Sequence, residues 1–139
     1  MNENVKMPFL NIKDLVVEYT SDGETVHAVN GVDLQLERGE TLGLVGETGA
    51  GKTTIAKSIL RILPDRGAKI CGGEICLDGQ NTLALPEAEM RDIRGNKVAM
   101  IFQDPMTALN PVKRVGDQIA EVIRLHNNIS AREVEKRAV

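Results

Sequence analysis

Nine residues, Gly46-Glu47-Thr48-Gly49-Ala50-Gly51-Lys52-Thr53-Thr54, constrain this chain more than any other stretch. They fit the pattern G-x-x-x-x-G-K-[ST], with Gly46, Gly51, Lys52 and Thr53 in the fixed places. Upstream, Thr41-Leu42-Gly43-Leu44-Val45 predicts a short apolar strand buried on both faces. Downstream, Ile55, Ala56, Ile59, Leu60 and Leu63 recur at helical spacing, and Pro64 is expected to end that helix. Strand, glycine-rich loop and helix in that order make a site for phosphate.

The chemistry explains the residue types. A polyphosphate needs many converging donors, and side chains would crowd the backbone amides, so glycines at 46, 49 and 51 let the loop wrap closely. The helix that follows turns its unpaired amides and positive dipole end toward the anion. Lys52 adds a full positive charge, and Thr53 offers a hydroxyl to Mg²⁺, which keeps several waters and bridges phosphate oxygens.

Composition narrows the class. The chain has 139 residues, 42% hydrophobic and 27% charged, which suits one modest globular domain. Phe9, Tyr19 and Phe102 are its aromatic residues, so the core must be aliphatic. A formal net charge of -3 argues against a general nucleic-acid binder. No apolar run approaches a bilayer span, and Met1 to Lys6 is polar, unlike a signal peptide, so a cytoplasmic location is expected. Cys71 and Cys76 lack a His/Cys cluster around them and read as small core or surface residues. His27 and His126 show no ligand spacing.

In chain order, Leu10, Ile12, Leu15, Val17 and Tyr19 alternate with polar residues apart from a slip near Asp14, which predicts a strand with room for a bulge. Ser21-Asp22-Gly23 is a turn signal. From Val26 to Glu37, Val32, Leu34 and Leu36 line one face of a second, half-buried strand, and Arg38-Gly39 turns the chain. Gly73 to Leu77 predicts another strand, closed by Asp78-Gly79. Pro86 opens a short helix that Gly95 closes. The continuous apolar run Val98 to Phe102 predicts a strand over Lys97–Gln103. A proline-bounded loop reaches Pro111, and Val115, Ile119, Val122 and Ile123 then line one face of a helix. Ser130 with Glu133 reads as a capping box that starts a last helix.

These residues resemble the ATP-binding subunit of an ABC transporter, and more narrowly the oligopeptide/dipeptide importer branch. Gly43 to Thr54 resembles its Walker A motif, Met100 to Pro111 its Q-loop and following segment, and Met90 to Gly95 a stretch typical of the branch. The resemblance runs from about Leu10 to the end of the chain. It implies an α/β fold: a P-loop NTPase of the ABC ATPase type with an N-terminal antiparallel β piece. It divides the chain into that piece (about 8–40), a P-loop core (about 41–104) and the start of a helical subdomain (about 105–139). The family's signature motif, Walker B strand and switch histidine lie downstream of its Q-loop and have no counterpart here. The chain is therefore expected to match the first half of such a subunit and to bind nucleotide without turning it over alone.

By resemblance, ATP and Mg²⁺ are the cofactors. Gly46, Glu47, Thr48, Gly49, Ala50, Gly51, Lys52, Thr53 and Thr54 would hold the phosphates. Tyr19 would stack on adenine, and Lys52 and Gln103 would be catalytic. Thr53 and Gln103 would meet the metal. The implied partners are transmembrane permease subunits and a second ABC ATPase subunit, with no nucleic acid, on the inner face of the membrane. The segment Pro105 to Pro111, with Met106 and Leu109, would face the permease. Three alternatives stay open: a non-transport ABC ATPase, another phosphate-loop enzyme, and a nucleotide-binding or regulatory fragment without turnover.

Overall fold

A computed structural model describes residues 7–104 and 108–139. Pro105 and Met106 of the expected permease-facing segment lie outside the described residues. The chain divides into two compact units, 1–86 and 87–139.

The first unit is built on an antiparallel sheet. Strands β1 (Leu10–Ser21) and β2 (Glu24–Leu36) are joined at Asp22-Gly23, where both residues take positive φ. β3 (Ala68–Leu77) pairs with the other edge of β1, and the short β4 (Gln80–Asn81) continues the order β2-β1-β3-β4. The alternation read from the sequence buries Leu10, Ile12, Leu15 and Val17 on one face, together with Val29, Ile75 and Leu77. Val32, Leu34 and Leu36 are half-buried, as expected for β2.

The slip near Asp14 is a bulge. The pairing jumps from Ile12↔Leu34 to Leu15↔Val32, Asp14 takes φ 46°, and its N–H donates to Asp33 Oδ1 at 2.7 Å. Two further bulges lie in β2, where Gly31 and Ala28 are skipped in the register with β1. β3 begins at Ala68, earlier than the expected Gly73. Gly73 needs its lack of a side chain, since a Cβ there would stand 2.4 Å from the Asp14 carbonyl oxygen.

Helix α1 (Lys52–Leu60) buries Ile55, Ser58 and Leu60 and packs against β2. It ends at Arg61 rather than at Pro64. Arg61 adopts the left-handed conformation (φ 51°), and its N–H reaches the carbonyls of Lys57 and Ser58. Its guanidinium then donates to the carbonyls of Thr82 (3.1 Å) and Leu85 (2.6 Å), fastening the helix end to the short 3₁₀ turn Thr82–Ala84.

The expected strand Thr41–Val45 is not formed: those residues are irregular and exposed, with Val45 98% accessible. A strand buried on both faces exists only between hydrogen-bonded neighbours, and no described residue pairs with this one.

The second unit holds α2 (Glu87–Ile93), α3 (Val115–His126) and α4 (Ala131–Ala138). Met90, Ile93, Ala120 and Val134 form its buried core, and α3 packs on α4. Gly95 (φ 80°) closes α2 as expected, facing the His126 ring. Ser130 caps α4 by accepting from the Glu133 N–H at 3.3 Å. The expected strand Lys97–Gln103 reduces to one parallel bridge, Arg94↔Val98, and Ile101 is 92% exposed. The cause is the same as for Thr41–Val45: an apolar run without a paired neighbour. α3 forms as expected, but Val115, Ile119 and Val122 stay exposed and Ala120 is its buried residue. No helix among the described residues is long and apolar enough to cross a membrane.

Candidate phosphate-binding site

The glycine-rich loop joins irregular backbone to the start of α1. Gly51 is the N-cap of the helix, with φ 81°, and Gly49 has φ 86°. Both conformations are open to glycine and costly for other residues. Within the loop the Ala50 N–H donates to the Glu47 carbonyl at 3.2 Å. Helix α1 starts without a side-chain cap, and its first turn carries no acidic residue. Its leading amides and positive dipole end are therefore free of a competing carboxylate within the helix.

Lys52 is half-buried and folds back over the loop: its Nζ donates to the carbonyls of Gly46 (2.7 Å) and Glu47 (2.6 Å). The ammonium is thereby held above the loop while a third donor stays available. Thr53 is exposed in the first helical turn, beside the half-buried Thr54, whose carbonyl accepts from Ser58. Gly46, Glu47, Thr48, Gly49 and Ala50 are all exposed.

The residues fit phosphate through three features: the flexible glycines, the free helix start and the poised lysine. For Mg²⁺ they supply the Thr53 hydroxyl. Among the described residues no group of three His, Cys, Asp or Glu could cage a metal.

Tyr19 lies in the same unit, half-buried on β1 and paired with Val26 of β2. It shares the core-side face of Val17. The loop meets this hairpin at Ala28: a Cβ built on Gly51 would lie 2.4 Å from the Ala28 carbonyl oxygen and 3.4 Å from Val29 Cγ2. Ala28 is two residues from Val26, about 7 Å along a strand. Gln103 belongs to the second unit, in exposed irregular backbone.

Sequence reasoning missed the contact between Gly51 and Ala28. Its trace was nonetheless present. Val26, Val29, Val32, Leu34 and Leu36 are spaced three, three, two and two, and each spacing of three marks a residue inserted into the strand.

On the opposite face of the sheet, His27 Nδ1 pairs with Glu18 Oε1 at 3.2 Å. Cys71, the residue skipped between Val16↔Gly72 and Val17↔Ile70, stands beside Glu18. Desolvation by its surroundings, then the hydrogen bond and charge of Glu18, push its thiol above the usual range.

Comparison with known proteins identifies the family. Residues 29–139 match the family profile described as ABC transporter. The chain is 45% identical to a probable peptide ABC transporter ATP-binding protein, y4tR, of Sinorhizobium fredii, over all of this chain and 42% of that protein. It is 43% identical to the oligopeptide transport ATP-binding protein OppD of Bacillus subtilis, over 94% of this chain and 36% of that protein. It is 46% identical to the probable D,D-dipeptide transport ATP-binding protein DdpD of Escherichia coli, over 95% of this chain and 40% of that protein. The chain thus spans about two fifths of the length of these relatives.

Among solved structures it resembles MJ0796, a bacterial ABC transporter cassette in dimeric form. The TM-score is 0.78 at 25% identity, covering 92% of this chain and 53% of that one. A post-hydrolysis dimer of the same cassette bound to ADP and phosphate gives a TM-score of 0.76 at 24% identity, covering 93% of this chain and 53% of that one. The fold is that of the N-terminal part of an ABC ATPase cassette.

Proposed function

The chain belongs to the ABC transporter family, and on that premise we propose that it carries the phosphate loop of an ATPase subunit that powers import of peptides. The observation that carries the reading is the loop itself: Lys52 poised over Gly46 and Glu47 at an uncapped helix start. The peptide end of the reading rests on relatives named as peptide, oligopeptide and dipeptide transport ATP-binding proteins.

Gly46 to Thr54 would wrap the phosphates of ATP, with Lys52 supplying charge to the terminal ones and Thr53 an oxygen to Mg²⁺. The bound magnesium would neutralise charge that develops on phosphate oxygens as the terminal bond breaks. Tyr19 would stack on the base, and Gln103 would meet the metal or the attacking water. Lys52 and Gln103 are thus the residues assigned to catalysis. The division proposed for the chain keeps the β piece at about 8–40, the P-loop core at about 41–104 and the helical subdomain from about 105. Phosphate-loop enzymes also use a second-strand Asp on the metal; no Asp-Glu pair occurs in this sequence, and the role read for these residues is nucleotide binding.

Transmembrane permease subunits on the cytoplasmic face of the membrane are the proposed partners, with a second ATPase subunit completing the pair. Leu109, 38% exposed after the Gln103 segment, is suited to such an interface.

The test is transport. The intact protein, reconstituted with its membrane subunits in vesicles, is expected to accumulate peptide only with Mg-ATP. Lys52→Ala should reduce uptake to background while leaving assembly intact. Uptake that ignores Lys52→Ala, or a reconstituted complex that never carries peptide, would overturn the reading.

A further inference from the structure

We propose that Ala28, the extra residue of a β-bulge, is a positioning residue for nucleotide: it seats the phosphate loop at a fixed distance from the Tyr19 base platform. The proposal rests on the nucleotide reading above.

Val17 pairs with Val29 and Glu18 with His27, so Ala28 is inserted between two consecutive pairs. The same insertion resets the faces of the strand. Were Ala28 an ordinary ladder residue, alternation from the buried Val29 would bring His27 to the core side; because it is bulged out, Val26 stands opposite Tyr19 and His27 stands opposite Glu18. The base platform and the bulge are therefore one local structure.

Gly51 comes so close to this bulge that a Cβ would lie 2.4 Å from the Ala28 carbonyl oxygen. Gly51 is also the N-cap of α1, immediately before Lys52 and Thr53. Its buried position and φ of 81° leave the loop no freedom to slide over the strand without losing that seat. Bulges recur beside binding sites because they re-aim neighbouring groups. Here the bulge links the two ends of one ligand, the base and the phosphates.

This makes a separable prediction. Inorganic tripolyphosphate has no base and senses only the loop; ATP senses the distance between loop and platform. Deleting Ala28 keeps the pairs Val17↔Val29, Glu18↔His27 and Tyr19↔Val26 and removes only the seat.

The experiment titrates the intact protein and the Ala28 deletion with Mg-ATP and with Mg-tripolyphosphate by calorimetry. The unaltered protein should prefer ATP by roughly five- to 150-fold, the worth of one stacked base. In the deletion, tripolyphosphate affinity should hold and the preference for ATP should collapse to about twofold or less. Val29→Ala, which trims the other atom beneath Gly51 without altering register, should move the ratio the same way by less, and decides the matter if the deletion does not fold. A folded deletion that keeps the full preference, or loses both ligands equally, would overturn the inference. An unaltered protein that binds tripolyphosphate but shows no preference for ATP would overturn the role of Tyr19 and this inference with it. Binding of neither ligand would overturn the nucleotide reading itself.

Discussion

Cys71 shows how a single side chain is governed by its neighbours across the sheet. It lies at the surface, yet partial desolvation and then Glu18 hold its thiol above the usual range. The thiolate is the reactive form, so a raised pKa means less nucleophile at neutral pH. Cys71 should therefore react with iodoacetamide more slowly than an ordinary exposed thiol. Glu18→Gln removes the neighbouring charge and should speed the reaction at pH 7 to 8, the direction that a falling thiol pKa requires. Equal rates in the two proteins, measured with Cys76 replaced by Ser, would contradict the assignment of cause. Nothing in the sequence announced this pairing. Cys71 meets Glu18 only because β3 bulges there.

Helix α1 illustrates a competition between backbone and side chain. The sequence pointed to Pro64 as the stop, yet the helix ends at Arg61 in a left-handed conformation that costs a non-glycine residue about 1–2 kcal/mol. The two charge-assisted hydrogen bonds from its guanidinium to Thr82 and Leu85 contribute roughly 1.5–3 kcal/mol each. The bonds outweigh the strain. Arg61→Gly should therefore destabilise the first unit by about 2 kcal/mol despite relieving φ, as read by urea unfolding. A variant as stable as the parent would show that the strain and the bonds had been weighed wrongly. Elements whose pattern is local were legible: the β1 alternation with its slip, the β2 stripe, the short helix between Pro86 and Gly95, and the Ser130 cap. The runs Thr41–Val45 and Lys97–Gln103 were legible as apolar but not as strands in place, since a parallel strand is made by its neighbours and not by its own residues.

For the chain as a whole, the motif from Gly46 to Thr54 was the most legible part, because phosphate chemistry permits few residue types at each position. The antiparallel β piece followed from period-two patterning, and the likeness to ABC cassettes extends over 92% of the chain. What stayed hidden was how the pieces meet: the loop seated on Ala28, and an α3 stripe that is exposed rather than buried. Spacing marks where β2 carries an extra residue, but not that Gly51, more than twenty positions away, rests on it.

The central claim is that the loop of this chain binds nucleoside triphosphate through Lys52. Its ammonium now spends two donors on the carbonyls of Gly46 and Glu47, and phosphate oxygens would draw it into stronger, charge-assisted bonds worth roughly 1.5–3 kcal/mol. The most direct measurement is calorimetric titration of Mg-ATP into the folded parent and its Lys52→Ala variant. The expected result is saturable binding to the parent, weakened about ten- to a hundredfold by the substitution. Equal affinity for both proteins, or no binding to the folded parent, would contradict the claim.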